Sequence, residues 1–253
     1  MNPIHEANRR RWNLAAPNWK AMHDQRGAWR NCPTDPTLAF YENELPFLQN
    51  MEGKKVAVLG SGDNLCAFAL AGMGASVCSV DISENQLDIA KERAEDLDLS
   101  IQFLRADVTD LHALDDEQFD LVYTGGHVAV WVGNLKKYYS EAVRILKTGG
   151  QFIINEYHPM RRLWKEDTDQ LVLAYDYYNR GPYEFSYGDD ILSREMGNIP
   201  SYEHHWTISD FIQAILEAGC QIKHVDEMGT HVGDWEGPVS GMPECILIVS
   251  TKS

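Results

Sequence analysis

A glycine turn and two spaced carboxylates are the residues here whose types suit chemistry. Gly60-Ser61-Gly62 interrupts an apolar run, Asp81 follows about 20 residues later, and Asp107 follows a third apolar stretch. Glycines without Cβ let a backbone approach a ligand closely, and the N-terminus of a following helix favours negative charge. A carboxylate at Asp81 can accept hydrogen bonds from two ribose hydroxyls. His127, His158, His204, His205 and His231 are candidates for a general base, and His158 and His205 stand out because each flanks a strand end. Against each stands the plain alternative of a structural or solvated histidine.

These residues need elements to position them. Val56 to Leu59 reads as a strand buried on both faces, Leu65 to Met73 as a helix capped by Asp63 or Asn64, and Ser76 to Val80 as a second strand ending on Asp81. Ser83 with Gln86 opens a helix running to about Leu97; Ile101 to Leu104 and Phe119 to Tyr123 are further strands. Leu135 to Leu146 reads as a helix, Lys147 to Gly150 as a turn and Gln151 to Tyr157 as the fifth strand. Thr207 with Asp210 caps a helix that ends at Gly219, Gln221 to Val225 is a strand, and Cys245 to Ser250 is the last.

Before this core, Asn2 to about Met22 reads as an amphipathic helix with Ile4, Asn8, Trp12, Ala15 and Trp19 on one face, kinked or ended by Pro17. Gly27 to Pro36 reads as a loop. Leu38 to Leu48 reads as a second helical stretch carrying Phe40, Tyr41 and Phe47 towards the substrate space. Between Glu156 and Trp206 lies an aromatic-rich insertion. There Leu171 to Tyr177 and Tyr183 to Tyr187 alternate around Asn179-Arg180-Gly181, the pattern of a β-hairpin. The expected role is a lid or wall of a substrate pocket; dimer contact is the alternative. The loop from Met228 to Pro243 holds His231, Asp234 and Trp235.

The 253 residues carry a formal net charge of −16, which argues against nucleic acid as the main partner. The five cysteines show no short paired spacing, so no metal site is expected and reduced thiols in a cytoplasm are. No apolar run reaches the length that crosses a membrane.

The glycine turn followed by Asp81 resembles the first two motifs of the class I S-adenosylmethionine (SAM) methyltransferases. Asp107, the Asp120 strand and the Gly149-Gly150 turn agree with the order of elements in that family. The resemblance implies one α/β domain over 1–253: a Rossmann-like, seven-stranded, mostly parallel sheet with the last strand antiparallel. A helical cap (1–50), a cofactor-binding core (55–157), an insertion with a β-hairpin (158–206) and a C-terminal helix with strands (207–253) complete it. It implies SAM as cofactor, held by Gly60, Ser61, Gly62, Asn64, Asp81, Ile82, Asp107, Val108, Thr124, Gly125 and Trp19. Asp107 would accept from the adenine amine. Where the family usually has an acidic residue and a third glycine, this chain has Val58 and Asn64. The implied activity is O- or N-methylation of a small molecule by a monomer or homodimer. A non-catalytic SAM-binding protein is the first alternative. A nicotinamide-dependent oxidoreductase is the second, and Leu65 at the sixth position of G-x-G-x-x-G argues against it.

Overall fold

A computed structural model describes residues 2–62, 64–165, 170–186, 200–229 and 241–253. Five parallel strands make the heart of the sheet: β1 (Lys55–Leu59), β2 (Ser76–Asp81), β3 (Ile101–Arg105), β4 (Phe119–Thr124) and β5 (Leu146–Tyr157). The chain also forms a hairpin of β6 (Tyr183–Ser186) and β7 (Pro200–Glu203), outside the main sheet, and then β8 (Cys220–Met228) and β9 (Cys245–Lys252). The seven-stranded order is β3-β2-β1-β4-β5-β9-β8, with β9 antiparallel to both neighbours. Strands β1 and β4 are buried on both faces because helices cover each side.

The helices are α1 (Pro3–Arg26), α2 (Ala28–Asn31), α3 (Leu65–Gly72), α4 (Glu84–Asp96), α5 (Leu135–Ile145) and α6 (Ile208–Glu217). Their caps follow from sequence. Asn2 caps α1, Ser83 caps α4 through Gln86 N–H, and Thr207 with Asp210 forms a reciprocal capping box on α6. Two apolar clusters sandwich the sheet. One packs α5 and α6 around Tyr138, Tyr139 and Phe211; the other packs α3 around Phe68, Met51 and Leu48.

Five expectations change. Lys147 to Gly150, read as a turn, lies within β5, which starts at Leu146. Helix α1 continues through Pro17 to Arg26 and stops only at Gly27, in the left-handed region at φ 71°. Gly27 then leads directly into the short α2, within the stretch read as a loop. Leu38 to Leu48 is not a helix but two single 3-10 turns, Pro36–Leu38 and Leu45–Phe47. Pro46 cannot donate to a helical ladder, and buried Glu44 accepts from Tyr41 N–H and from the Tyr123 hydroxyl at 2.7 Å. Phe40 therefore packs edge-on against Tyr123, in the core. The hairpin strand β6 pairs with β7, not with Leu171 to Tyr177, where a lone bridge joins Leu173 to Trp164. Three groups anchor that arrangement: Asn8 holds β7, Arg180 pairs with Asp210, and His205 N–H bonds Arg180 C=O. Tyr187 lies outside the described residues.

Candidate functional site

The carboxyl ends of β1, β2, β3 and β4 open onto one cleft, roofed by α1. Counting its mouth, it spans about 650 Å³. Gly60, Gly62, Asp81, Ile82, Asp107 and Val108 line its floor; Gly126, Val128 and Trp131 close the β4 side; His5, Asn8 and Trp12 of α1 face them. Open α/β sheets place ligands at this end of the strands.

The glycine turn is built for close approach. Gly60 adopts φ 60°, and a Cβ there would fall 2.2 Å from the Val128 side chain. Gly62 adopts φ 51°, and a Cβ there would meet nothing, so this position is open to the cleft. Its N–H donates to Asp81 Oδ2 at 2.9 Å, while Ser83 N–H donates to Oδ1 at 2.8 Å. Burial pushes the Asp81 carboxyl up, and these backbone donors oppose that. The glycine turn and the β2 tip are thus one hydrogen-bonded unit, with acceptor lone pairs left for a ligand.

Asp107 is held just as firmly. Thr109 donates to Oδ1 from both its N–H, at 2.9 Å, and its hydroxyl, at 2.8 Å. His5 Nδ1 lies 2.7 Å from Oδ2. The His5 tautomer is set by its other nitrogen: Gly133 N–H donates to Nε2 at 2.9 Å, so Nδ1 carries the proton and donates to Asp107. Burial pushes the Asp107 carboxyl up, but His5 and Thr109 outweigh it and leave it below the usual range.

Around the β4 and β5 tips lies a second group. His127, at φ 54°, stacks on Tyr157 with ring centres 3.7 Å apart, and Arg161 sits over the same tyrosine ring at 4.1 Å. Burial, with Arg161 and Arg162 adding to it, pushes His127 down to about 3. Glu156 is fully buried, accepts from Ala129 N–H at 3.0 Å, and is pushed by burial up to about 8; its Oε2 has no hydrogen-bond partner among the described residues.

Residues 57–154 match the family described as a methyltransferase domain. A demethylmenaquinone methyltransferase from Clavibacter sepedonicus is 33% identical over 108 residues, 42% of each chain. The chain's match thus spans under half the length of that curated relative. A structure of an S-adenosylmethionine-dependent methyltransferase described as putative, from Listeria monocytogenes, superposes with a TM-score of 0.63 at 22% identity, covering 83% of this chain and 98% of that one. The magnesium protoporphyrin IX methyltransferase of Synechocystis, solved with bound S-adenosylhomocysteine (SAH), gives 0.62 at 15% identity, covering 99% and 100%. Residues 57–154 thus match the methyltransferase-domain family, and the fold of the chain is the one that these solved SAM-dependent methyltransferases share.

Of the residues the resemblance named for a cofactor, Gly60, Gly62, Asp81, Ile82, Asp107 and Val108 line this one cleft. Ser61, Asn64, Thr124, Gly125 and Trp19 stand behind it. The Ser61 and Ser79 hydroxyls pair at 2.8 Å. Asn64, buried at φ 68°, takes the left-handed conformation that suits a glycine. Its side chain caps no helix N–H but donates to Gly62 C=O at 2.7 Å, so Asn64 braces the turn that a third glycine would leave unbraced. Thr124 accepts from the Tyr138 hydroxyl at 2.8 Å, and Gly125 faces Tyr123. Trp19 lies 6.2 Å behind Trp12, which lines the cleft and meets Trp131 edge-on at 5.3 Å.

The two favoured histidines lie outside the cleft wall. Both ring nitrogens of His158 are engaged: Nδ1 accepts from Met160 N–H at 3.1 Å and Nε2 lies 2.8 Å from Glu227. His205 is buried between the Tyr175 and Tyr183 rings with neither nitrogen hydrogen-bonded among the described residues, and its Nε2 is 3.7 Å from Glu203. His231, Asp234 and Trp235, like Asp63, lie outside the described residues. Sequence reasoning missed His5, Trp131 and Glu156 as site residues. The signal for His5 was its place three residues before Asn8 on the buried face of α1. For Glu156 it was a carboxylate at the end of an apolar strand.

Proposed function

We propose that this chain transfers the methyl group of SAM to a small-molecule acceptor, at oxygen or nitrogen, by in-line displacement. The observation that carries this reading is the Asp81–Gly62 hydrogen bond, which ties a ribose-type carboxylate to a glycine turn open to the cleft. SAM when bound supplies a methyl on a positively charged sulfur, already activated for displacement. The residues that would hold it are Gly60 and Gly62 by close backbone approach, Asp81 at the ribose, Asp107 at adenine, and Ile82 and Val108 against the purine faces. Trp12 and Trp131 exclude water from above, so orientation can supply much of the rate. His205 is the proposed acceptor of the substrate's proton, with Glu203 positioned to stabilise the imidazolium. His158 fits that role less well, since both its nitrogens already have partners.

The relatives support a small-molecule acceptor: one is named for demethylmenaquinone and one for a magnesium porphyrin. A reducing, cytoplasmic setting is supported by five cysteines that form no disulfide, four of them buried. No described helix is long and apolar enough to cross a membrane.

Thermal unfolding with SAM, SAH and NAD(P), each alone, tests the reading. A ligand that binds only the folded chain adds about 2.7 kcal/mol at a hundredfold excess over its dissociation constant. A shift with SAM and SAH alone is expected. A shift with NAD(P) alone would overturn the assignment.

A further inference from the structure

We infer that His5 is a specificity-determining residue: by fixing the Asp107 carboxylate it makes the cleft select a purine with a 6-amino group over one with a 6-oxo group. The inference rests on the proposed SAM reading, in which Asp107 faces the purine edge.

The geometry counts out the lone pairs. A carboxylate has about four acceptor sites. Thr109 fills two on Oδ1, and His5 Nδ1–H fills one on Oδ2. One site on Oδ2 remains, and Asp107 and His5 both line the cleft. That last site can only accept. It suits an amine donor and repels a carbonyl oxygen, and a site built to bond one polar group rejects an analogue with the wrong one strongly.

His5 holds this state in two ways. Its Nδ1–H stabilises the charged form of Asp107, which burial alone would push towards the neutral acid. A neutral acid could donate to a 6-oxo group, and the discrimination would fall. Second, the Gly133 N–H donor prevents the ring from presenting the other tautomer, in which Nδ1 would compete as an acceptor for the same donors. The ring is itself buried, so water does not replace it. His5 sits on α1 and Asp107 after β3, so the roof of the cleft is a working part of the purine subsite.

Calorimetry with SAH and with S-inosylhomocysteine, its 6-oxo analogue, tests this on the full chain. Three proteins are compared: wild type, His5→Phe, which keeps a planar ring but has no donor, and His5→Asn, whose amide restores a donor near the Nδ1 position. Wild type is expected to prefer SAH by about a hundredfold or more. His5→Phe should lose most of that ratio, chiefly by weaker SAH binding, and His5→Asn should recover part of it. A ring that merely packs the helix would lower both affinities together and leave the ratio alone, and that result overturns the inference. Wild type that binds neither compound would instead overturn the SAM reading beneath it. If His5→Phe fails to fold, His5→Leu, which also lacks a donor, decides by the same ratio: an unchanged ratio rejects selection through His5, and a reduced ratio supports it.

Discussion

Asn8 on α1 holds Tyr202 on β7 by both of its backbone groups. Its Oδ1 accepts the Tyr202 N–H at 2.8 Å and its Nδ2 donates to the Tyr202 carbonyl at 2.9 Å. The same Nδ2 is 3.1 Å from the Trp131 carbonyl. One side-chain amide thus stands in for a neighbouring strand and joins the roof, the hairpin and the β4 loop. Asn8→Ala would strip three partly buried groups of a partner, at about 1–3 kcal/mol of unfolding free energy. It should also weaken SAH binding, because His5 and Trp12 ride on the same helix. Urea unfolding and calorimetry check both, and loss of stability with unchanged SAH affinity would uncouple the roof from the cleft.

At Asp81 the expectation separates binding from folding. The carboxylate already accepts from Gly62 and Ser83, so Asp81→Asn forces an amide N–H against one of those donors. It also removes the charge that suits two ribose hydroxyls. SAM affinity should fall on the order of ten- to a hundredfold by calorimetry, while the circular dichroism of the folded chain is retained. Equal affinity in mutant and wild type would remove Asp81 from the ribose role.

The Rossmann-like core was legible because its signals are local. Short apolar runs, a glycine turn and capping residues such as Ser83 and Thr207 each act within a few residues of themselves. Where the reading failed, a distant partner decided. Pro17 lies inside α1, yet Asn8, Arg9 and Asn13 tie that helix to Tyr202, Glu84 and Ser83, so packing outweighs the missing N–H. The hairpin partner of β6 was misread because alternation marks a strand but not its mate. Cleft residues followed the same division. Gly62 and Asp81 could be read from spacing, whereas His5 gains its role from Asp107 and Gly133, over a hundred positions away.

Glu156 predicts a pH dependence of stability. Its carboxyl is pushed up from 4.5 to about 8 in the folded chain. Between those values the folded state holds a proton that the unfolded chain has released, so this residue lowers stability as pH rises through that window. Glu156→Gln keeps an acceptor for Ala129 N–H and cannot ionise. It should unfold with a flatter pH profile and gain most over wild type near pH 8, by on the order of a few kcal/mol. Equilibrium unfolding near pH 5 and near pH 8 measures the difference, and parallel profiles would show that Glu156 does not carry that proton.

His205 and His158 separate a proton acceptor from a brace. His158 Nε2 faces Glu227, its Nδ1 caps the turn at Met160, and burial holds its pKa below the usual range. His158→Ala should therefore act on stability, by about 1–3 kcal/mol, with kcat changed only as far as the fold loosens. His205 is buried beside Glu203 with neither nitrogen hydrogen-bonded among the described residues, a state that costs free energy unless a further group uses it. Once screening of quinols and phenols yields an acceptor, His205→Gln should lower kcat about a hundredfold or more and leave SAH affinity within about twofold. Wild-type turnover by His205→Gln would leave the acceptor to lose its proton to water, and the reaction to rest on orientation alone.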